Sequence, residues 1–268
     1  MIFFKQKIIF VHVPRCGGTS IEQNLWKKEF GEFFSFKNSD EKHLLQGFVD
    51  KYTNKYQSDG LQHLTTKNIT KIYPKEMESF FSFAFVRNPY SRIASIYCEV
   101  MKYRKDLRDF LIIFKDSSFK NFLKLIKKNP HTHWMPMINF FSEKKLSFIG
   151  KFETFETDLK QIGKKIELNF SKENFSGEHK FSEKSDYLSF YEDKENISLV
   201  EEIYQDDLIQ FDYSFKAFEN FEKNKNSNNS IIPHIELNKK EVNLRRFFKR
   251  YFKKKIYMLF NNDKFKLK

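Results

Sequence analysis

Cysteine and glycine are scarce in this chain, and long apolar runs are missing. Two cysteines, Cys16 and Cys98, in 268 residues cannot build a disulfide framework, which points to a reducing compartment. No apolar run nears the roughly 18 residues that a membrane-spanning helix requires. Lys5 and Lys7 interrupt the apolar N-terminus. Cleaving that segment would also remove the strand that feeds a glycine turn, so no signal peptide is expected. No internal repeat is visible. Of only eight glycines, two stand side by side at Gly17 and Gly18, and attention goes there first.

What is present is globular. Hydrophobic residues make up 40% and charged residues 31%, and 34 phenylalanines are enough for a sizeable core. The length suits one domain plus a tail. The net charge of +13 is unevenly placed: from Glu222 onward there are 14 Lys/Arg against 4 Asp/Glu. The preceding body is close to neutral, so the overall charge says little about it.

Ile8–Val13 is a short β-branched apolar run, the pattern of a buried parallel strand. Ser20–Lys28 reads as a helix with Ile21, Leu25 and Trp26 on one face. Phe80–Val86 is a second buried strand, ending at Arg87-Asn88-Pro89. There Asn88 suits an N-cap and Pro89 a first helical position, with Ile93, Ile96, Tyr97 and Val100 on the apolar side of the helix. Leu146–Phe152 is a third strand candidate and Val200–Asp207 a helix. Strand–loop–helix units at this spacing predict an α/β fold, a central parallel sheet flanked by helices. The pattern divides the chain into a domain over 1–221, a polar linker over 222–238 and a basic amphipathic helix over 239–268. Stretches 34–62 and 101–133 give no clear pattern.

The stretch IIFVHVPRCGGTSIEQNL ends a strand, turns and opens a helix. Such a turn aims free backbone N–H groups at one point, and the helix dipole adds partial positive charge. Gly17 and Gly18 let backbone approach an anion closely. Thr19 and Ser20 add hydroxyls and Arg15 a full charge. The turn reads either as an anion cradle or as a tight turn without a ligand. It is not the ATP-binding loop, which needs a lysine after the glycines. A second stretch, FAFVRNPYSRIASIY, puts Arg87 at a strand end and Ser95 on the helix that follows, with Ser91 on the same face. Arg87 with Ser95 makes a second anion site at the edge where open α/β sheets bind ligands. Otherwise Arg87 is a surface ion-pair residue and Ser95 a helix filler.

HVPRCGGTSIE resembles the 5′-phosphosulfate loop of sulfotransferases, and FVRNPYSRIASIY resembles their 3′-phosphate motif. The likeness is to the Golgi-type and bacterial carbohydrate sulfotransferases, the family that includes the heparan sulfate 2-O-sulfotransferases. LQHLTT around His63, HTHWMPM, FIGKFETFETDL and EEIYQDDLIQFDYSF follow in the family's order, so the resemblance covers about residues 5–218. Two positions depart from it. Arg15 stands where lysine is usual, which keeps the charge but changes the donor geometry. Cys16 stands where threonine is common and costs one hydroxyl.

The resemblance implies a P-loop-like three-layer fold. It implies transfer of a sulfuryl group from 3′-phosphoadenosine 5′-phosphosulfate (PAPS) to a sugar hydroxyl, with no metal. Arg15, Cys16, Gly17, Gly18, Thr19 and Ser20 would hold the 5′-phosphate, with Arg15 neutralising the leaving group. Arg87 and Ser95 would hold the 3′-phosphate. His63 is expected to be the general base, with Glu22 and Glu78 as alternatives and a solvated loop histidine as the plain reading. His133 and Trp134 would shape a pocket or pack, His131 fits no metal pattern, and Arg92 supports the site or forms a helix-surface ion pair. Cys16 could have a lowered pKa at a helix start, but is read as loop filling. The expected partner is a glycan or glycolipid, with no nucleic acid. The location would be cytoplasmic, at the inner membrane face if the basic tail 239–268 lies on anionic lipid rather than packing on the core. Two rival classes remain at this stage: a nucleotide kinase or NTPase with a non-standard loop, and a basic nucleic-acid-binding protein.

Overall fold

A computed structural model of the chain describes residues 1–31, 63–141, 144–170 and 186–227. The first units are β1 (Ile2–Phe3), β2 (Ile8–Val11) and α1 (Gly18–Phe30). Next come α2 (Thr66–Ile72), α3 (Pro74–Ser79), β3 (Phe81–Val86) and α4 (Pro89–Lys102). α5 (Lys105–Leu111) and α6 (Phe119–Lys128) precede β4 (Phe148–Lys151), and α7 (Phe155–Lys165), α8 (Lys194–Gln210) and α9 (Phe215–Ser227) follow it.

The sheet has the order β1-β2-β3-β4. β2, β3 and β4 are parallel, and β1 pairs antiparallel with β2 at the edge. Ile8 lies opposite Phe81 and Val11 opposite Ala84, while Val86 lies opposite Lys151. The carboxyl ends of the three parallel strands therefore share one edge, and the turns after Val11 and Val86 are neighbours. The α/β expectation holds: a mostly parallel sheet flanked by helices.

Local sequence accounts for the pieces. All four residues of β2 are buried, as are Ser82 to Val86 of β3. A strand covered on both faces reads as a continuous apolar run, not an alternation. One apolar cluster joins the sheet to Ile21, Leu25 and Trp26 of α1 and to Leu159 and Ile162 of α7. A second joins Ile93, Ile96 and Val100 of α4 to Phe122, Leu123 and Ile126 of α6, Val200 and Tyr204 of α8 and Phe218 of α9. In α6 the buried positions Phe119, Phe122, Leu123 and Ile126 follow helical spacing. Truncating the fully buried Phe122 to alanine removes packing on the order of 3–5 kcal/mol. At α4, the Asn88 side chain accepts from the Tyr90 N–H at 3.2 Å, and Pro89 begins the helix.

One boundary differs from the sequence reading. α9 continues through Glu222 to Ser227, so the expected polar linker begins inside a helix. Glu222 is buried there. The rest of that linker and the basic segment 239–268 lie outside the described residues. Among the described residues, no helix is long and apolar enough to cross a membrane.

Candidate active site

Between Val11 and Gly18 the chain leaves the sheet and turns into α1. Arg15 has φ 65° and Gly17 φ 83°, both left-handed. Arginine takes that region at a cost of roughly 1–2 kcal/mol, and glycine takes it freely. A Cβ on Gly17 would also stand 2.8 Å from the Phe155 ring. Gly18 is needed for another reason, since a Cβ there would lie 2.2 Å from the His12 ring. No side chain caps α1, so its first N–H groups and the positive end of its dipole are left to the turn. Thr19 is half-buried and Ser20 buried beside them. This is anion-binding geometry.

Cys16 is buried, its Sγ 3.7 Å from the Pro14 carbonyl oxygen and 3.8 Å from Met137 Sδ. Burial pushes the thiol up to about 12, opposite to the lowering that a helix start could give. Cys16 fills the loop.

The second turn meets the first. Arg87 donates to Ser91 Oγ through Nε at 2.9 Å and Nη2 at 2.6 Å. Its Nη1 donates to the Arg15 carbonyl at 3.2 Å, and its guanidinium carbon lies 4.3 Å from the centroid of the Phe152 ring. Arg87 is only 6% exposed, and among the described residues no carboxylate comes within ion-pair distance of it. Ser95 is engaged from the other side. It accepts from Arg15 Nε at 3.0 Å and Nη2 at 2.8 Å, and Arg15 Nη1 stands 3.7 Å from Glu99 Oε2. Arg87 and Ser95, expected to share one anion site, do not bond each other. Arg87 reaches the serine one helical turn away, and Arg15 crosses to the serine two turns away. The two sites form one continuous patch of two guanidiniums and two hydroxyls.

His63 is buried, not solvated. Its Nδ1 lies 3.0 Å from the His12 carbonyl oxygen. A carbonyl only accepts, so Nδ1 carries the hydrogen and Nε2 keeps a lone pair. The ring stands edge-on to His12 at 4.7 Å and to His133 at 5.6 Å. The same logic sets two more tautomers. His133 Nε2 accepts from Arg104 Nη1 at 2.9 Å, and His131 Nδ1 accepts from the His133 N–H at 3.2 Å. Burial, with the neighbouring His12 ring, holds His63 well below the usual histidine range. Burial and Arg104 do the same to His133, and bring His131 down to about 4. All three are neutral at pH 7, so the lone pair on His63 Nε2 is free of a proton there. Behind them, His12 Nδ1 lies 2.8 Å from Glu22 Oε1, close in distance but outside good hydrogen-bond angles. Among the described residues, no group of three or more His, Cys, Asp or Glu side chains is placed to hold a metal.

Residues 1–214 match the family model described as the sulfotransferase family. The chain belongs to the sulfotransferase family. No curated protein and no solved structure matches it. The sulfotransferase is therefore a transferase of sulfuryl groups.

Behind the site of this sulfotransferase lies Arg92, 1% exposed on α4. It donates to the Pro14 carbonyl at 3.1 Å, the Met135 carbonyl at 2.9 Å and the His133 carbonyl at 3.2 Å. Arg92 is a buried strut between the glycine turn and the His133 segment, which overturns the helix-surface ion pair. Trp134 packs, its Nε1 donating to the Asn129 carbonyl at 2.8 Å, while Tyr204 of α8 donates to the Trp134 carbonyl at 2.8 Å. Asp207 accepts from the Met137 and Ile138 N–H groups at 2.7 and 2.8 Å and fixes the end of that segment. Glu78 is exposed on α3 with Lys144 at 3.9 Å, which sets it apart from these groups. Sequence reasoning passed over Phe152, Arg104, Asp207 and the supporting part of His12. Of these, only Arg104 stood outside the motifs already noted.

Proposed function

We propose that this enzyme moves a sulfuryl group from PAPS to a hydroxyl of a carbohydrate acceptor. The observation that carries the reading is Arg87: a buried cation bonded only to neutral oxygens and an aromatic face, beside the uncapped start of α1. A buried charge without a counter-ion costs several kcal/mol, and an anionic ligand relieves it. The residues fit a nucleotide with phosphate at both ends. The N–H groups of Gly17, Gly18 and Thr19 suit the 5′ end. Arg87 with Ser91, and Ser95 with Arg15, suit the 3′-phosphate.

The donor supplies an activated S–O bond whose cleavage leaves charge on a phosphate oxygen. The protein then has little covalent work and much positioning. His63 Nε2 takes the proton of the acceptor hydroxyl as that oxygen attacks sulfur. Its tautomer is already correct because the His12 carbonyl holds the other nitrogen. The first-turn N–H groups receive the developing charge. Arg15 contributes from beside Ser95, so this loop relies on its backbone and dipole more than one with a lysine would.

A thermal-shift screen tests the donor half: adenosine 3′,5′-bisphosphate stabilises the enzyme and ATP does not. Transfer of labelled sulfate onto a glycan panel tests the acceptor half. Stabilisation by ATP alone, or transfer only to non-sugar hydroxyls, contradicts the corresponding half. The proposal includes a cytoplasmic location with the tail at the inner face of a membrane, supported by the aromatic and basic faces written into 239–268. Equal vesicle flotation with and without those residues ends the tail's part in it.

A further inference from the structure

We propose that Arg104 is a positioning residue of the transfer reaction: clamped by Asp106, it donates to His133 Nε2, fixes the ring that stands against His63 and fills the lone pair at which that ring would take up a proton. This role rests on His63 acting as proposed above. Three imidazoles stand in a row, His12 4.7 Å from His63 and His63 5.6 Å from His133. A carboxyl group closes one end, with Glu22 Oε1 2.8 Å from His12 Nδ1. A guanidinium closes the other, with Arg104 Nη1 2.9 Å from His133 Nε2. His131 flanks that end, its ring 5.1 Å from His133.

Arg104 is held from several sides. It stands at the N-cap of α5, where its N–H donates to the Glu99 carbonyl at 3.2 Å and its carbonyl accepts from the Arg108 N–H at 3.1 Å. Its Nε and Nη2 fork onto the two Asp106 oxygens at 3.0 and 2.8 Å, and Nη1 points the other way, at His133. Burial works against the charge on Asp106, yet the bonds from Arg104 hold its carboxyl below the usual range. A planar fork can serve a carboxylate and an imidazole at once, which the single point of a lysine does less well.

Arginine only donates, so His133 Nε2 is the acceptor and the ring hydrogen sits on Nδ1. A proton on Nε2 would set two donors against each other at 2.9 Å. Other groups act in the same direction. On His133, burial comes first, then Arg104, His63, His131 and Arg92. On His63, burial comes first, then His12, with Arg104 and the Met1 amino group behind; the bond to the His12 carbonyl opposes them. On His131, Asp106 partly offsets burial and Arg104. With its neighbouring ring fixed and uncharged, His63 keeps one geometry and an open Nε2 into mildly acidic solution.

Proton–nitrogen correlation spectra of the full chain, labelled at histidine, read the tautomer and titration of each ring; His133→Gln assigns the signal. The wild type shows His133 as the Nδ1–H tautomer, unprotonated from about pH 7.5 to about 5.5. In Arg104→Met the His133 midpoint rises by about one pH unit or more. Arg104→Lys, charged but without the fork, falls between. Release of labelled sulfate from saturating PAPS to water reads the reaction. The acid limb of its rate moves up by about half a pH unit or more in Arg104→Met, with KM for PAPS unchanged, and Arg104→Lys recovers most of the loss. The thermal shift with adenosine 3′,5′-bisphosphate is equal in all of these proteins, so the donor-site reading stands or falls separately. A wild-type His133 in the Nε2–H tautomer overturns the inference, whether or not any variant folds. An Arg104→Met variant with an altered His133 signal and the wild-type acid limb also overturns it, and leaves Arg104 as a brace without a part in the reaction.

Discussion

Replacing Arg87 with methionine separates binding from stability. The side chain keeps much of its volume and loses its charge. In the free enzyme the guanidinium has two bonds to Ser91 Oγ, one to the Arg15 carbonyl and the Phe152 ring at 4.3 Å. Each bond from the charged donor to a neutral oxygen contributes roughly 1.5–3 kcal/mol net. Relief of a desolvated, uncompensated charge offsets them, so folding stability changes by no more than about 1–2 kcal/mol. The liganded enzyme behaves differently. A phosphate about 4 Å from the guanidinium gains on the order of 4 kcal/mol at an effective dielectric near 20. Arg87→Met therefore weakens adenosine 3′,5′-bisphosphate by about 10³-fold. Titration calorimetry reads this directly. In thermal unfolding, a ligand concentration about a thousand times the wild-type Kd stabilises the wild type by about 4 kcal/mol and leaves the variant almost unshifted. Arg87→Lys keeps the charge without the fork and falls between the two. A folded Arg87→Met variant that binds the bisphosphate like the wild type would refute the counter-ion argument.

Three other perturbations follow from the same geometry. His63→Ala lowers turnover by about 10²–10⁴-fold and leaves bisphosphate affinity nearly intact; steady-state rates that match the wild type remove His63 from the reaction. Because burial lowers His63, His133 and His131, the unfolded chain takes up protons below about 6.5 while the folded one does not. Stability is thus complete above that pH and falls as the solution is acidified, through about 4 for His131, by up to roughly 1.4 kcal/mol per pH unit for each histidine. Denaturant midpoints that stay level from neutral pH down to about 4 contradict this. Gly18→Ala drives a Cβ against the buried His12 ring and costs about 1–3 kcal/mol. A double-mutant cycle with His12→Ala shows coupling of about 1 kcal/mol or more, and strict additivity argues against the contact.

β2 and β3 were legible because they are buried on both faces and therefore written as unbroken apolar runs. The start of α4 was legible because Asn88 and Pro89 carry their own stop and start chemistry. The glycine pair marked the turn, but not the two different reasons for it: a left-handed backbone at Gly17 and the His12 ring at Gly18. Which arginine takes which serine depends on the approach of two turns far apart in the chain, and no spacing rule encodes that. The burial of His63 was hidden for the same reason, since its neighbour His133 arrives about seventy residues later. The polar Glu222–Ser227 was read as the start of a linker, but it forms the end of α9. Polarity without glycine or proline does not end a helix already anchored by Phe218. The spacing in α6 was present in the sequence, but the short α5 and the left-handed Ile112 before it broke the pattern.

Arg92 gives the reaction its ruler. Its rigid planar head hangs one carbonyl of the strand-end loop and two of the histidine-bearing stretch from a single cation. In-line chemistry tolerates little error in the gap between incoming oxygen and sulfur. For the reaction proposed above, that gap is gauged by a residue standing behind both walls, so a nudge to either travels to the other through one guanidinium.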